Sequence, residues 1–140
     1  MGMMRLALLG LVITVGMTSC RRNNTQIPYA PVDVYININN PSYYTLQAVG
    51  GWVYYSAGSR GLIIYRRNTD EFAAYDRHSP YLPDDGCTVA VDSSNITATD
   101  PCSGSKWLLY DGSVTNGPAV FPLLGYQATF DGVSNLHIYN

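Results

Sequence analysis

Asp76, His78 and Ser79 stand almost side by side in "DRHSP", which places the residue types of a serine hydrolase in one short stretch. A Ser–His–Asp triad needs those side chains to converge from separate backbone segments. Neighbours in extended chain point to opposite faces, and no G-x-S-x-G elbow is present to raise a serine above a sheet. Contiguity therefore argues against hydrolase chemistry. Zinc would need three or four ligands at usable spacing, and the chain offers two histidines, His78 and His137, with no C-x-x-C or H-E-x-x-H. His137, in "LHIYN", reads as a strand histidine with one face exposed. Asp84 and Asp85 precede Gly86 and read as turn residues that bond nearby backbone; calcium requires more oxygens at a patterned spacing. Tyr43, Tyr44, Trp52, Tyr54 and Tyr55 are candidates for a sugar-stacking platform, although the same residues also suit a pleated surface. The pair Arg66–Arg67 reads as a solvated strand end.

Cysteine usage sets the compartment. The chain opens "MGMMRLALLGLVITVGMTSC", a short basic start and an apolar run over residues 6–15. That run is of signal-peptide length and short of the roughly 20 residues that span a bilayer. It ends in a cysteine after small residues, which resembles a bacterial lipobox and implies cleavage before Cys20 with lipid attached to its sulfur. Two or three acyl chains hold a soluble domain firmly at a membrane. The other reading is an ordinary signal peptide cleaved near Ser19; either exports the protein. On the lipobox reading, residues 1–19 are a signal peptide, 20–31 a lipidated cysteine with a polar tether, and 32–140 the folded domain. In an oxidising envelope the remaining Cys87 and Cys102, fifteen positions apart, most simply pair with each other. The net charge of −2 supplies no basic field, so nucleic acid is not an expected partner.

These residues must be carried by strands. "VDVYININ" alternates apolar and polar positions, the mark of a half-buried strand. "GGWVYYSA", "GLIIYRR", "FAAYD", "CTVAVD", "NITATD", "SKWLLY", "DGSVTNG", "AVFPLLGYQATF" and "LHIYN" make further short units between Gly, Pro and Asp breaks. Asp111–Gly112 and Asp131–Gly132 are hairpin signals. The pattern predicts an all-β, antiparallel sandwich or small barrel.

The stretch "GSKWLLYDGSVTNGPAVFPLLGY" resembles the C-terminal half of a Rieske [2Fe–2S] domain. The series is Gly104–Ser105, Trp107, Asp111–Gly112, Asn116–Gly117–Pro118–Ala119, Pro122–Leu123 and Tyr126. Upstream, "GLIIYRRNTDEFAAYDRHSPY" looks like the strand pair entering the first ligand loop. The chain is similar in particular to Rieske-like lipoproteins of Gram-negative envelopes. The resemblance implies a two-loop ligand subdomain, with a C-x-H in one loop and a C-x-x-H in the other. Here the matching positions hold Ser79 and Tyr81, then Asp100 and Ser103, so all four expected ligands are absent. Cys102 sits where many such domains keep a loop-linking disulfide, and Cys87 falls a few residues late.

The expectation is therefore a cluster-free domain, with no cofactor and no metal, closed by a Cys87–Cys102 disulfide. It is expected to be non-enzymatic: an accessory or docking module, lipid-anchored to a bacterial membrane, with the outer membrane favoured. An envelope protein partner is expected at loops 76–86, 100–105 and 117–120. Two alternatives stand beside it: an electron-transfer protein holding a [2Fe–2S] cluster in an unusual way, and a glycan- or small-ligand-binding lipoprotein.

Overall fold

Two strands are buried along their whole length: all five residues of "LIIYR" and all five of "FAAYD" are buried. A strand covered on both faces reads as a continuous apolar run, not an alternating one. In the computed structural model, which describes residues 26–140, these are β3 (Leu62–Arg66) and β4 (Phe72–Asp76), paired antiparallel. Period-two geometry sends alternate side chains of each strand to opposite sides. Leu62, Ile64, Phe72 and Ala74 enter one core, while Ile63, Tyr65, Ala73 and Tyr75 enter a second.

The first core is closed by the larger sheet curling over itself. Its six strands run in the order β1 (Asp33–Asn37), β10 (Asn135–Tyr139), β9 (Gly125–Phe130), β4, β3, β2 (Trp52–Tyr55). Ile36, Leu136 and Ile138 meet the β3–β4 pair there, with Leu46 from a 3-10 turn over Pro41–Gln47. The second core lies under a four-stranded sheet of β5 (Ala90–Val91), β6 (Thr97–Thr99), β7 (Lys106–Leu108) and β8 (Val114–Asn116). Val89, Ala98, Trp107 and Leu109 fill it. The architecture is the all-β, antiparallel arrangement that the strand pattern predicts. The expected signal peptide, the expected lipidation at Cys20 and the first part of the expected tether fall on residues 1–25, outside the described residues. No helix among the described residues is long and apolar enough to cross a membrane.

Arg66 departs from its expected solvated position. It is only 9% exposed, and its guanidinium donates to the carbonyls of Leu46, Gln47, Asn68 and Thr69. It also sits 5.1 Å from the ring centre of Phe72 and 5.6 Å from that of Phe130. One planar cation with five donors thus ties the 3-10 turn to the β3–β4 hairpin. Arg67 donates to the Tyr110 carbonyl and the Tyr75 hydroxyl. Arg66→Ala leaves several carbonyls unpaired, at about 1–3 kcal/mol for each that stays buried; urea denaturation should show a loss of at least that size.

The β9–β10 hairpin turns at Asp131–Gly132 as expected. Oδ1 of Asp131 accepts from the backbone N–H groups of Val133, Ser134 and Asn135. These bonds favour the carboxylate and bring its pKa down to about 2, against about 3.9 in unfolded chain. Because the folded value is depressed, the stabilisation is complete above about pH 4 and is lost as pH falls through 2. The stability gap between wild type and Asp131→Ala should therefore shrink between pH 5 and pH 2, as read by thermal denaturation at each pH.

Candidate functional site

Three connections meet at one end of the molecule: residues 77–89 after β4, 100–105 after β6, and 117–124 after β8. The first is held at its neck by Ser79 N–H to the Cys87 carbonyl and Val89 N–H to the Arg77 carbonyl. Within it, Pro83–Asp85 makes a 3-10 turn flanked by Leu82 at φ 46° and Gly86 at φ 67°. Asp84 and Asp85 thus do serve as turn residues. In the second connection, Asp100 N–H reaches the Ser105 carbonyl and Gly104 N–H returns to Asp100, with Gly104 in the left-handed region at φ 76°. The third is pinned from below by buried Trp107, whose Nε1–H donates to the Phe121 carbonyl at 2.9 Å.

Two links join the first connection to the second. One is covalent, the Cys87–Cys102 disulfide, with 6.3 Å between the Cα atoms. The other is Asp100. Its side chain is fully buried, and its Oδ2 accepts from the hydroxyls of Ser79 and Ser103, each at 2.8 Å. Oδ1 accepts from the N–H of Cys102, also at 2.8 Å. The structure therefore brings Ser79, Asp100 and Ser103 into one hydrogen-bonded cluster beside the disulfide. Tyr81 packs against the second core, with its N–H on Ser79 Oγ. A cleft of about 250 Å³ opens here, lined by Tyr81, Cys87, Asp100, Cys102, Ser103 and Pro118 among others.

The two histidines lie elsewhere. His137 sits on β10, stacked between Tyr35 and Tyr139 and bonded to Asp33. His78 is buried at the neck of the first connection, with Nδ1 on the Ser59 hydroxyl and Nε2 on the Pro83 carbonyl. Sequence reasoning missed Ser59, because the contact spans nineteen positions and no local motif marks it. Asp76, by contrast, does neighbour His78: its buried carboxylate accepts from the backbone of Ser59, Arg60 and His78 and from the Tyr126 hydroxyl. Burial, and next the bond to Asp76, push the Tyr126 phenol well above its ordinary range. Ser79 faces Asp100, so "DRHSP" forms no triad of its own. Of the aromatic candidates, Trp52 and Tyr54 line a shallow cleft with rings tilted 60° to each other.

No protein-family model matches the sequence, and no curated protein matches it. Solved structures do. The cyanobacterial plasma membrane Rieske protein PetC3 from Synechocystis PCC 6803 superposes with a TM-score of 0.56 at 19% identity, over 76% of this chain and 98% of that one. This chain has a Rieske fold. Two further structures are similar to it at lower scores. The ferredoxin of carbazole 1,9a-dioxygenase from Nocardioides aromaticivorans IC177 has a TM-score of 0.48 at 16% identity, over 76% of this chain and 95% of that one. The Mycobacterium tuberculosis putative NADH-dependent nitrite reductase small subunit has a TM-score of 0.43 at 16% identity, over 79% and 96%.

A Rieske cluster takes two thiolates on one iron and two imidazoles on the other. The residues at this tip do not fit it. Both tip sulfurs are committed to each other, His78 has both ring nitrogens engaged, and His137 is on a strand of the larger sheet. Cys87, Asp100 and Cys102 do place one donor atom each within 4.8 Å, but no imidazole joins them. What spans the two connections is a disulfide and a buried carboxylate. Replacing Cys87 and Cys102 by serine should cost about 3 kcal/mol for a loop of this length. The same change should open residues 77–105 to limited proteolysis, mapped by mass spectrometry.

Proposed function

We propose that this chain is a Rieske-fold module without a cluster, exported and lipid-anchored through Cys20, which acts by docking to an envelope protein. The observation that carries the reading is the chemistry at the tip. Where the resemblance calls for thiolates and imidazoles, Ser79, Asp100 and Ser103 hydrogen-bond among themselves and Cys87 is bonded to Cys102. A shared cluster normally cross-links the two loops; a disulfide and a buried carboxylate supply that cross-link here. The tip keeps its shape and lacks the thiolate–imidazole iron that would change oxidation state.

Apolar exposure at the same end supports docking. Leu82, Val120, Phe121 and Leu124 are 40%, 78%, 53% and 38% exposed; the first two lie in the loops 76–86 and 117–120 already expected to meet a partner, and the other two just beyond the second of these. Clustered exposed apolar residues with a polar rim are typical of protein contact sites. Fold alone does not supply a function, so the test addresses both parts of the reading. Full-length chain should be extracted from membranes in mild detergent, assayed for iron and acid-labile sulfide, and photo-crosslinked from positions 120, 121 and 133. The expected result is no stoichiometric iron or sulfide, with a crosslinked product from 120 and 121 and none from 133 at the other end of β9. Stoichiometric [2Fe–2S] would overturn the cluster-free reading, and equal crosslinking from all three positions would overturn the docking end.

A further inference from the structure

Ser59 lies in the turn between β2 and β3, and its hydroxyl is 2.8 Å from Nδ1 of His78. The other ring nitrogen, Nε2, is 2.7 Å from the carbonyl oxygen of Pro83. A carbonyl only accepts, so Nε2 carries a proton; in that tautomer of the neutral ring Nδ1 is the acceptor. In that tautomer the Ser59 hydroxyl donates to an imidazole oriented from behind by the Pro83 carbonyl. A hydroxyl, a base within reach and a third group orienting that base are the parts of an activated nucleophile. Here the orienting group is a backbone carbonyl.

Asp76 holds the two halves of this arrangement in register. Its carboxylate accepts from Ser59 N–H at 2.6 Å and Arg60 N–H at 3.2 Å on the serine-bearing turn. It also accepts from His78 N–H at 2.8 Å on the histidine-bearing loop, and from the Tyr126 hydroxyl at 2.8 Å. Gly58 has φ +70°, and a Cβ there would stand 2.5 Å from Oδ2 of Asp76. The turn closes on the carboxylate because that residue has no side chain.

A buried histidine pinning a loop would explain the Pro83 contact alone. It does not explain the surroundings of the serine. His78 is buried, whereas Ser59 is half-buried and lines an open cleft of about 480 Å³ together with Tyr54, Arg60 and Arg77. The Arg77 guanidinium stacks 3.8 Å over the Tyr54 ring, with Nε on the Val89 carbonyl. Among the described residues, no aspartate or glutamate lines the cleft. Two arginines thus line it beside a serine in contact with an imidazole.

We propose that Ser59 is a nucleophile, with His78 as its general base, toward carboxylic esters that carry a negative charge held by Arg60 and Arg77. The bond from Oγ to the ester carbon forms as the hydroxyl proton passes to Nδ1 of His78. The ester C–O bond breaks and the departing oxygen takes that proton. Water then attacks the seryl ester, its proton passes through the same nitrogen to Ser59, and the carboxylic acid leaves. This activity does not rest on the docking reading; it would amend only its non-enzymatic part.

A fluorophosphonate probe on the full chain, followed by peptide mass spectrometry, tests the nucleophile. One adduct is expected on Ser59, absent in Ser59→Ala and slowed by about 10²-fold or more in a folded His78→Gln. Ser59→Ala keeps the backbone N–H that Asp76 binds, so its circular dichroism should match wild type. No adduct on Ser59 in folded protein, or equal labelling of His78→Gln, would overturn the proposal. Should His78→Gln not fold, Ser59→Cys takes its place: alkylation by iodoacetate faster than a free cysteine supports the base, and an unaccelerated rate overturns it. Mono-p-nitrophenyl glutarate should release nitrophenol faster than neutral p-nitrophenyl acetate, with the advantage lost in Arg77→Gln. A preference for the neutral ester would overturn the substrate class.

Discussion

The structure depends on a hairpin that must be covered on both faces. β3 and β4 send alternate side chains into two separate cores, so neither sheet alone can satisfy them. Burial of a large apolar side chain is worth about 1.5–3 kcal/mol, and these two strands divide their apolar side chains between both sides. The larger sheet must curl to bury one face and the smaller sheet must dock to bury the other. Everything at the tip follows from that docking, because its connections leave from the ends of β4, β6 and β8. Arg66 and Asp76, at the far ends of the same two strands, then fix the 3-10 turn and the serine-bearing turn against the hairpin.

Much of this was legible in the residues. "VDVYININ" alternates, and its Ile36 and Ile38 are indeed buried; "LIIYR" and "FAAYD" read as short strands, and the structure shows both buried throughout. Asp131–Gly132 announces its hairpin through a side chain that caps its own turn. The stretch over residues 117–124 was less legible. It is rich in apolar residues yet forms no strand, since Pro118 and Pro122 lack the N–H a ladder needs, and Trp107 from another strand fixes its course. Arg66 was misread for a related reason: a charged residue at the end of a strand looks solvated until the four carbonyls that surround it are known.

The candidate sites divide along the same line. Cys87 and Cys102 pair as the residues suggest, and Ser79, Asp100 and Ser103 share one cluster. That Asp100 would be the buried acceptor joining two loops is a property of tertiary structure, invisible at a spacing of twenty-one positions. Ser59 shows this most sharply. The sequence places Ser79 beside His78, but backbone geometry turns Ser79 toward Asp100 and gives His78 a serine from the preceding hairpin instead. The contiguous residues do not converge, as their spacing implied, and the partner of His78 comes from a segment that the sequence did not single out.

The two indoles of this protein occupy contrasting media. Trp107 is wholly buried, with its N–H held by the Phe121 carbonyl of the tip. Trp52 is partly open at a cleft, with its N–H on the Asn95 side chain. An excited indole relaxes its dipole against mobile water and emits to the red, whereas one in a rigid apolar cage cannot and emits to the blue. The molecule is thus built as a two-colour emitter: its blue component belongs to the floor of the tip, its red component to the outer edge of β2, and acrylamide would extinguish the second first.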